Sequence, residues 1–314
     1  MDGWLRLLKQ KDKRTIARLI TKIEDGSPEK NQLLEKIFPE TGKTFLIGLT
    51  GPPGAGKSSL IDGLITKIRQ VGLSVGVIAV DPTSPFTGGA MLGDRVRMTK
   101  HALDTDVFIR SMGSRGNVGG LSRSTREAVR VLDAAGFDVV LIETVGVGQA
   151  ELEIMHLADT VLLVLNPGAG DIVQVFKAGI MEIADLFVVN KADLSGANRL
   201  VTEIEELLDL QQWEWRPPIV QTIASLNQGI SECWSQIIKH RQHLEETGEW
   251  VKRRQNHLRQ EVLELLEDSF YQFLKQEMKK PEFEAELEQV ALRRKVPHQV
   301  ARIWLNRILF GKKE

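Results

Sequence analysis

The sequence predicts an α/β fold with a doubly wound, mainly parallel β-sheet and helices on both of its faces. Short apolar runs recur along the middle of the chain, and helix-like sequence separates each run from the next. Strands that are apolar on both sides are typical of parallel sheets covered on both faces. Ligands of such folds bind at the carboxyl ends of the strands, so we expect the functional site there.

The elements follow one another in a simple order. Amphipathic helices with a turn at residues 26–28 form a predicted N-terminal extension over residues 1–40, and a strand-rich core is predicted over residues 41–247. A charged helical arm, interrupted at Gly248, Pro281 and Pro297, is predicted over residues 248–314. The predicted strands of the core are 44–50, 75–80, 107–110, 139–143, 161–165, 186–190 and 219–223.

The composition narrows the class of protein. Hydrophobic residues make up 42% of the 314 residues, which is ample for a core. The 41 basic and 42 acidic side chains nearly cancel, so we expect neither a nucleic-acid nor a membrane partner. The only cysteine, Cys233, excludes an intramolecular disulfide. No apolar run approaches the roughly 20 residues that span a bilayer, and no secretory signal is recognisable, so the expected location is cytoplasmic.

The strongest motif is GPPGAGKS, which directly follows the first predicted strand. Glycines allow successive backbone N–H groups to surround phosphates, a lysine reaches the β and γ phosphates, and a serine hydroxyl binds Mg²⁺. The motif lies between a strand and a helix, as this chemistry requires, and predicts a P-loop NTPase. The predicted nucleotide-binding residues here are Gly51, Pro52, Pro53, Gly54, Ala55, Gly56, Lys57, Ser58 and Ser59.

A second motif, NKAD, ends the strand predicted at 186–190 and indicates guanine. The carboxylate of Asp193 can accept hydrogen bonds from N1–H and the exocyclic amine of guanine, a donor pair that adenine lacks. Asn190 can bond the base edge, and the stem of Lys191 can pack over the ring. After the next strand, backbone N–H groups near Ala224 and Ser225 can complete the pocket. The predicted nucleotide is therefore GTP.

Acidic residues at other strand ends are candidates for metal binding and catalysis. Asp81 and Glu143 each end a predicted strand, Asp94 begins a predicted helix, and Gly146 can sense the γ phosphate through its N–H group. Carboxylates that converge on a bound triphosphate hold the waters of Mg²⁺ or orient the attacking water. Asp94 has an alternative role as a helix N-cap.

Five segments taken together resemble a known family. LTGPPGAGKSSLID, AVDPTSPFTGGAMLGDRVRM, LIETVGVGQAE, NPGAGDIVQ and VNKADL occur in this order. They are similar to the G-protein chaperones of adenosylcobalamin-dependent methylmalonyl-CoA mutase, a family also described as arginine/ornithine transport kinases. The resemblance runs from about residue 10 to about residue 230, and beyond that only helical character is shared.

The resemblance implies a function and a set of site residues. Members hydrolyse GTP to gate cofactor loading and to protect the mutase, and they form homodimers through the C-terminal arm. By position, Lys57, Asp94 and Glu143 are the implied catalytic residues, and Lys57 contacts phosphate. The implied Mg²⁺ residues are Ser58, Asp81, Asp94 and Glu143, and the implied guanine residues are Asn190, Lys191 and Asp193.

The family also has an additional loop that couples the nucleotide site to the mutase. NPGAGDIVQVFK resembles this loop, and its implied coupling residues are Asp171, Gln174 and Lys177. Asn227 departs from the family, which usually has glycine there. Asparagine tolerates the same left-handed backbone, so we expect that conformation at Asn227.

Two alternative functions stay open. A small-molecule kinase of the arginine/ornithine transport type would use GTP or ATP with the same phosphate loop, although the sequence offers no dedicated acceptor base. A metallochaperone-like GTPase would need a metal site, for which His240 and His243 are the nearest candidates. Because no acidic or cysteine set surrounds this pair, we interpret it as a surface pair.

Overall fold

The seven predicted strands are all present. The computed structural model describes residues 3–81, 99–113, 123–144, 153–168 and 180–310. The strands are β1 (Phe45–Thr50), β2 (Val75–Asp81), β3 (Val107–Gly113), β4 (Val139–Glu143), β5 (Thr160–Leu165), β6 (Leu186–Asn190) and β7 (Ile219–Thr222). They form one sheet in the order β3-β2-β4-β1-β5-β6-β7, and every neighbouring pair is parallel. The predicted fold class is confirmed.

The order of the strands places the functional site. From β1 at the centre, the chain runs out to β2 and β3, returns to β4 beside β1, and then continues through β5 to the other edge. The connections therefore leave in opposite directions at the carboxyl ends of β1, β4 and β5. In doubly wound sheets this divergence opens the crevice in which ligands bind.

Helices cover both faces of the sheet. The apolar side of each helix is buried in one of two hydrophobic cores, one on each face. One core contains α4 (Lys57–Gln70) and α7 (Ile230–Thr247), through residues such as Leu64 and Ile237. The other contains α5 (Arg123–Ala134), α6 (Ala197–Leu208) and the N-terminal helices. The N-terminal helices are α1 (Gly3–Lys9), α2 (Lys13–Glu24) and α3 (Lys30–Ile37).

The N-terminal helices belong to the core of the sheet. Ile16, Ile20 and Ile23 of α2 are buried in the same cluster as the inner side of α5. A salt bridge of 2.6 Å joins the Lys30 ammonium of α3 to the buried Glu127 carboxylate of α5. Removing this extension would therefore expose the apolar residues of α5 and of the shared cluster that it covers.

The chain divides into two compact units, Met1–Arg254 and Gln255–Glu314. Helix α8 (Glu249–Glu277) begins in the first unit, and α9 (Pro281–Ala291) and α10 (Pro297–Phe310) complete the second. Within the second unit, the ring of Phe283 meets Trp304 edge-on with centroids 5.0 Å apart. The predicted helix breaks at Gly248, Pro281 and Pro297 are confirmed. Across the described ranges, no helix combines the length and the apolarity needed to cross a membrane.

His240 is buried, so the predicted surface pair is wrong for this residue. Its Nδ1 lies 2.8 Å from the hydroxyl of Thr160, and its Nε2 lies 3.3 Å from the carboxylate of Asp185. The ring also packs on Trp215, with centroids 5.0 Å apart. His240 follows Ile237 by three residues, so the helical period places it on the face of α7 that covers the sheet.

We expect His240 to make the folded protein less stable as the pH falls from about 6.5 to about 4. Burial lowers the pKa of His240 to about 4, aided by Arg253 and His243 and opposed by Asp185. In this window the unfolded chain binds a proton that the folded chain does not, which stabilises the unfolded state by up to about 3 kcal/mol. The free energy of unfolding, determined with urea at several pH values between 7 and 4, measures this loss of stability.

The two histidines supply a matched pair of variants for this measurement. His240→Gln should reduce the loss of unfolding free energy between pH 7 and pH 4, whereas His243→Gln should leave most of it in place. Equal pH slopes in the wild type and in His240→Gln would contradict the expectation.

Candidate functional site

The phosphate loop lies between β1 and α4, as the motif predicts. Gly51, Gly54 and Gly56 have φ values of 137°, 77° and 92°, all in the left-handed region that favours glycine. A Cβ on Gly51 would lie 2.0 Å from the carbonyl oxygen of Val164, and one on Gly56 would lie 2.2 Å from Nδ2 of Asn190. Gly51 and Gly56 are thus required by both backbone conformation and space, whereas Gly54 is required by backbone conformation alone.

Lys57 begins α4 and is buried against the loop that precedes it. Its Nζ donates hydrogen bonds to the carbonyl oxygens of Gly51 at 2.6 Å and Pro52 at 3.2 Å. The ammonium is therefore held at the loop together with the positive end of a helix. Both features favour the binding of an anion such as a phosphate group.

Ser58 and Glu143, which the sequence assigns to the same metal, are in contact. The Ser58 hydroxyl donates to Oε1 of Glu143 at 2.8 Å, and both side chains are buried. The contact forms because β4 pairs with β1, which places the end of β4 beside the first turn of α4. Hydroxyl and carboxylate oxygens are ligands that Mg²⁺ accepts, usually together with waters and substrate phosphates. The donor set thus fits this metal.

Several predicted site residues lie outside the described residues. They are Asp94, Gly146, Asp171, Gln174 and Lys177. Asp81 ends β2, and the register pairs Ala79 with Glu143, so the backbone of Asp81 reaches the same edge of the sheet. Its side chain lies beyond the described part of the chain.

Asn190 connects the phosphate loop to the predicted base pocket. Its Nδ2 donates to the carbonyl oxygen of Ala55 at 2.8 Å, and its Oδ1 accepts from the backbone N–H of Ala224 and the hydroxyl of Thr222, both at 3.1 Å. The side chain is buried. Asn190 therefore braces two loops, a role that the motif alone did not reveal.

The other predicted base residues lie on the loops that Asn190 braces. Lys191 adopts a left-handed backbone with φ of 57°, and the side chains of Asp193 and Ser225 are exposed. Asn227 has φ of 56°, which confirms its predicted left-handed conformation. The carboxyl ends of β6 and β7 thus place both predicted base motifs side by side at one edge of the crevice.

Comparisons with known proteins agree with this arrangement. The family model of the methylmalonyl-CoA mutase-associated GTPase MeaB matches residues 16–279. The chain belongs to the MeaB family. The match covers the phosphate loop, both predicted base motifs and the acidic strand ends, so the resemblance is confirmed.

Two relatives of this MeaB-family chain are also GTPases by name, and a solved structure resembles it as well. A putative GTPase of Pyrococcus abyssi is 46% identical over 99% of this chain and 98% of its own length. The GTPase ArgK of Escherichia coli is 39% identical over 80% of this chain and 79% of its own. A LAO/AO transport system kinase of known crystal structure is 29% identical in sequence to this chain. The two structures have a TM-score of 0.75, and the comparison covers 97% of this chain and 96% of the other. This chain is a GTPase with a P-loop fold that binds guanine nucleotides.

Proposed function

We propose that this GTPase regulates a cobalamin-dependent acyl-CoA mutase, gating the loading of adenosylcobalamin and protecting or reactivating the enzyme. One observation carries the proposal: the family of mutase-associated GTPases matches residues 16–279 of the chain. That range includes residues 166–177, the segment that we predicted to couple the nucleotide site to the mutase. Methylmalonyl-CoA mutase or a close relative is the proposed client.

The proposed nucleotide site consists of the residues predicted from the motifs. The phosphate loop with Ser59 and the backbone of Gly146 would hold the phosphates, and Asp193 would select guanine. Asn190, Lys191, Ala224 and Ser225 would complete the base pocket. The bracing hydrogen bonds of Asn190 support this grouping, because they tie the phosphate loop to the base-side loop.

We assign Mg²⁺ to Ser58 and Glu143, with Asp81 and Asp94 as the further acids. The contact between the Ser58 hydroxyl and the Glu143 carboxylate supports the assignment. When bound, the metal would neutralise charge on the β and γ phosphates. Lys57 would stabilise the same charge, and Asp94 and Glu143 would orient the attacking water.

We also propose that the protein is a homodimer joined through the second unit. The resemblance implies homodimers formed through the C-terminal arm, and α8 exposes apolar residues in the single chain. Leu266 is 61% exposed, and four neighbours on α8 are exposed as well: Val262, Leu263, Phe270 and Phe273. A second copy of the same chain is the occupant that would bury this face in both molecules.

The test is GTP turnover by the purified protein, alone and with a cobalamin-dependent acyl-CoA mutase. We expect the mutase to accelerate release of free phosphate by about 10-fold or more, as partners that order switch segments do. Asp171→Ala and Lys177→Ala should weaken the acceleration and leave turnover by the protein alone unchanged.

Two results would contradict the proposal. Phosphate transferred to an added acceptor such as arginine, without any effect of the mutase, would favour the kinase alternative instead. Light scattering on the same preparation reports the mass of the assembly, and a monomer would remove the dimer from the proposal.

A further inference from the structure

Two threonine hydroxyls lie buried between the phosphate loop and the end of β4. Thr50 is the last residue of β1 and directly precedes Gly51, while Thr144 directly follows Glu143. The Thr144 hydroxyl donates to the Thr50 hydroxyl at 3.1 Å, and the carbonyl oxygen of Leu49 lies 3.4 Å from it. The relative exposures of Thr50 and Thr144 are 0% and 2%.

Side-chain shape alone does not favour threonine over valine at these two buried positions. Valine has nearly the same shape as threonine, and burying a hydroxyl costs free energy unless it is hydrogen-bonded. The backbone already joins the two strands here, because the N–H of Thr144 donates to the carbonyl oxygen of Leu49 at 3.1 Å. The hydroxyl pair therefore adds a side-chain contact where β4 leaves the sheet.

This extra contact lies next to the proposed metal site. Glu143 immediately precedes Thr144, and its carboxylate accepts the hydrogen bond of Ser58 at 2.8 Å. Thr50 immediately precedes the loop that leads to Ser58. The hydroxyl pair thus joins the two backbone segments that carry the two oxygen ligands, and it limits how far they can separate.

We propose that the Thr50–Thr144 hydroxyl pair positions Glu143 against Ser58 for GTP hydrolysis. The two threonines are positioning residues that act through Glu143. The proposal rests on the assignment of Mg²⁺ to Ser58 and Glu143. Mg²⁺ demands near-ideal octahedral geometry, and a misplacement of about 1 Å in an active site can cost about 100-fold in rate. Because the backbone hydrogen bond remains, we expect a smaller loss when the hydroxyl pair is broken.

The experiment compares three variants of the full-length protein: Thr144→Val, Thr144→Ser and Thr50→Val. For each, kcat and KM for GTP are measured at saturating Mg²⁺, and kcat is then measured as Mg²⁺ is lowered. Thr144→Val and Thr50→Val should each lower kcat about 10-fold, raise the Mg²⁺ concentration for half-maximal rate, and change KM for GTP less than about 3-fold. Thr144→Ser keeps the hydroxyl and should restore kcat to within about 2-fold of the wild type.

The double variant Thr50→Val with Thr144→Val tests whether the two hydroxyls act as one unit. If they do, its kcat should be no lower than that of either single variant, because removing both partners leaves no buried hydroxyl unsatisfied. Losses that multiply in the double variant would overturn the pairing. A thermal midpoint that falls in Thr144→Val without any change in kcat or Mg²⁺ dependence would also overturn the proposal.

Failure of the metal assignment would look different. Ser58→Ala and Glu143→Gln remove the proposed ligands directly and should shift the Mg²⁺ dependence more than either threonine variant. If they leave the Mg²⁺ dependence unchanged, the metal assignment is wrong, and with it the reason given for the threonine pair. If they shift it while the threonine variants do not, the assignment stands and the positioning proposal alone is overturned.

Discussion

Replacing Asp193 with asparagine should lower the affinity for GTP by about 10²–10⁴-fold and raise the affinity for xanthosine triphosphate. The proposed pair consists of the Asp193 carboxylate accepting two hydrogen bonds, from N1–H and the 2-amino group of guanine. Losing one hydrogen bond to a charged group costs about 1.5–3 kcal/mol, and leaving the facing donors unsatisfied adds about 1–3 kcal/mol, which together give the stated range. Asparagine still accepts from N1–H, but its NH₂ group faces the 2-amino donor.

Xanthine reverses this mismatch, because it carries a carbonyl oxygen where guanine carries the 2-amino group. The NH₂ group of asparagine can donate to that oxygen, which restores both hydrogen bonds. Binding of GTP, xanthosine triphosphate and ATP to the wild type and to Asp193→Asn measures the exchange. ATP is the internal control, since it offers neither pattern and should bind both proteins weakly.

The exposed position of Asp193 keeps this test free of folding effects. The thermal midpoint of Asp193→Asn should match that of the wild type, because no core contact changes. If GTP affinity falls without any gain for xanthosine triphosphate, the carboxylate does not contact the base edge, and the guanine assignment must move to another residue. An unchanged GTP affinity would remove Asp193 from the site altogether.

The strands were predictable from sequence because their signals are local. Each apolar run is bounded by turn residues, and each became a strand of the sheet. The phosphate loop is local as well, since its glycines, Lys57 and Ser58 are consecutive and follow a strand directly. The conformation of Asn227 was predictable because the family usually has glycine at this position, and asparagine tolerates the same left-handed backbone.

The contacts that shape the site were not predictable because they join residues distant in sequence. Asn190 reaches Ala55 only because β6 lies two strands from β1 in the sheet. Thr144 reaches Thr50 only because β4 lies next to β1. A single sequence does not determine the order of strands, so it identifies these residues without indicating their partners.

His240 is a different case. A local signal for burial was present in the helical spacing of α7, but the histidine pair was interpreted as a surface pair because no acidic or cysteine set surrounds it. Cys233, Ile237, His240 and Leu244 recur at helical spacing and are all buried. A histidine on an otherwise apolar face can be buried when polar groups meet it, and here Thr160 at the start of β5 and Asp185 directly before β6 lie close to its ring nitrogens. The helical spacing of these residues indicates that position 240 is buried, which the surface-pair interpretation overlooked.

Gly51→Ala should destabilise the protein by about 2–5 kcal/mol and abolish GTP binding. The new Cβ would lie 2.0 Å from the carbonyl oxygen of Val164 and 3.0 Å from its carbonyl carbon, atoms of a buried central strand. Such overpacking costs about 1–3 kcal/mol, and the left-handed backbone at φ of 137° adds about 1–2 kcal/mol. Because β5 is held by strands on both sides, the phosphate loop is the part that must move.

Gly54→Ala is the matched control, since Gly54 lies in the same loop and also has a positive φ, of 77°. A Cβ at this position meets nothing within 4 Å, so only the backbone cost of about 1–2 kcal/mol applies. Urea unfolding without nucleotide measures the free energy of unfolding of the two variants, so a difference in GTP binding does not contribute to the comparison. A much larger loss for Gly51→Ala would show that contact with β5 determines where the phosphate loop lies, whereas equal losses would mean that the loop moves away from Val164 at little cost.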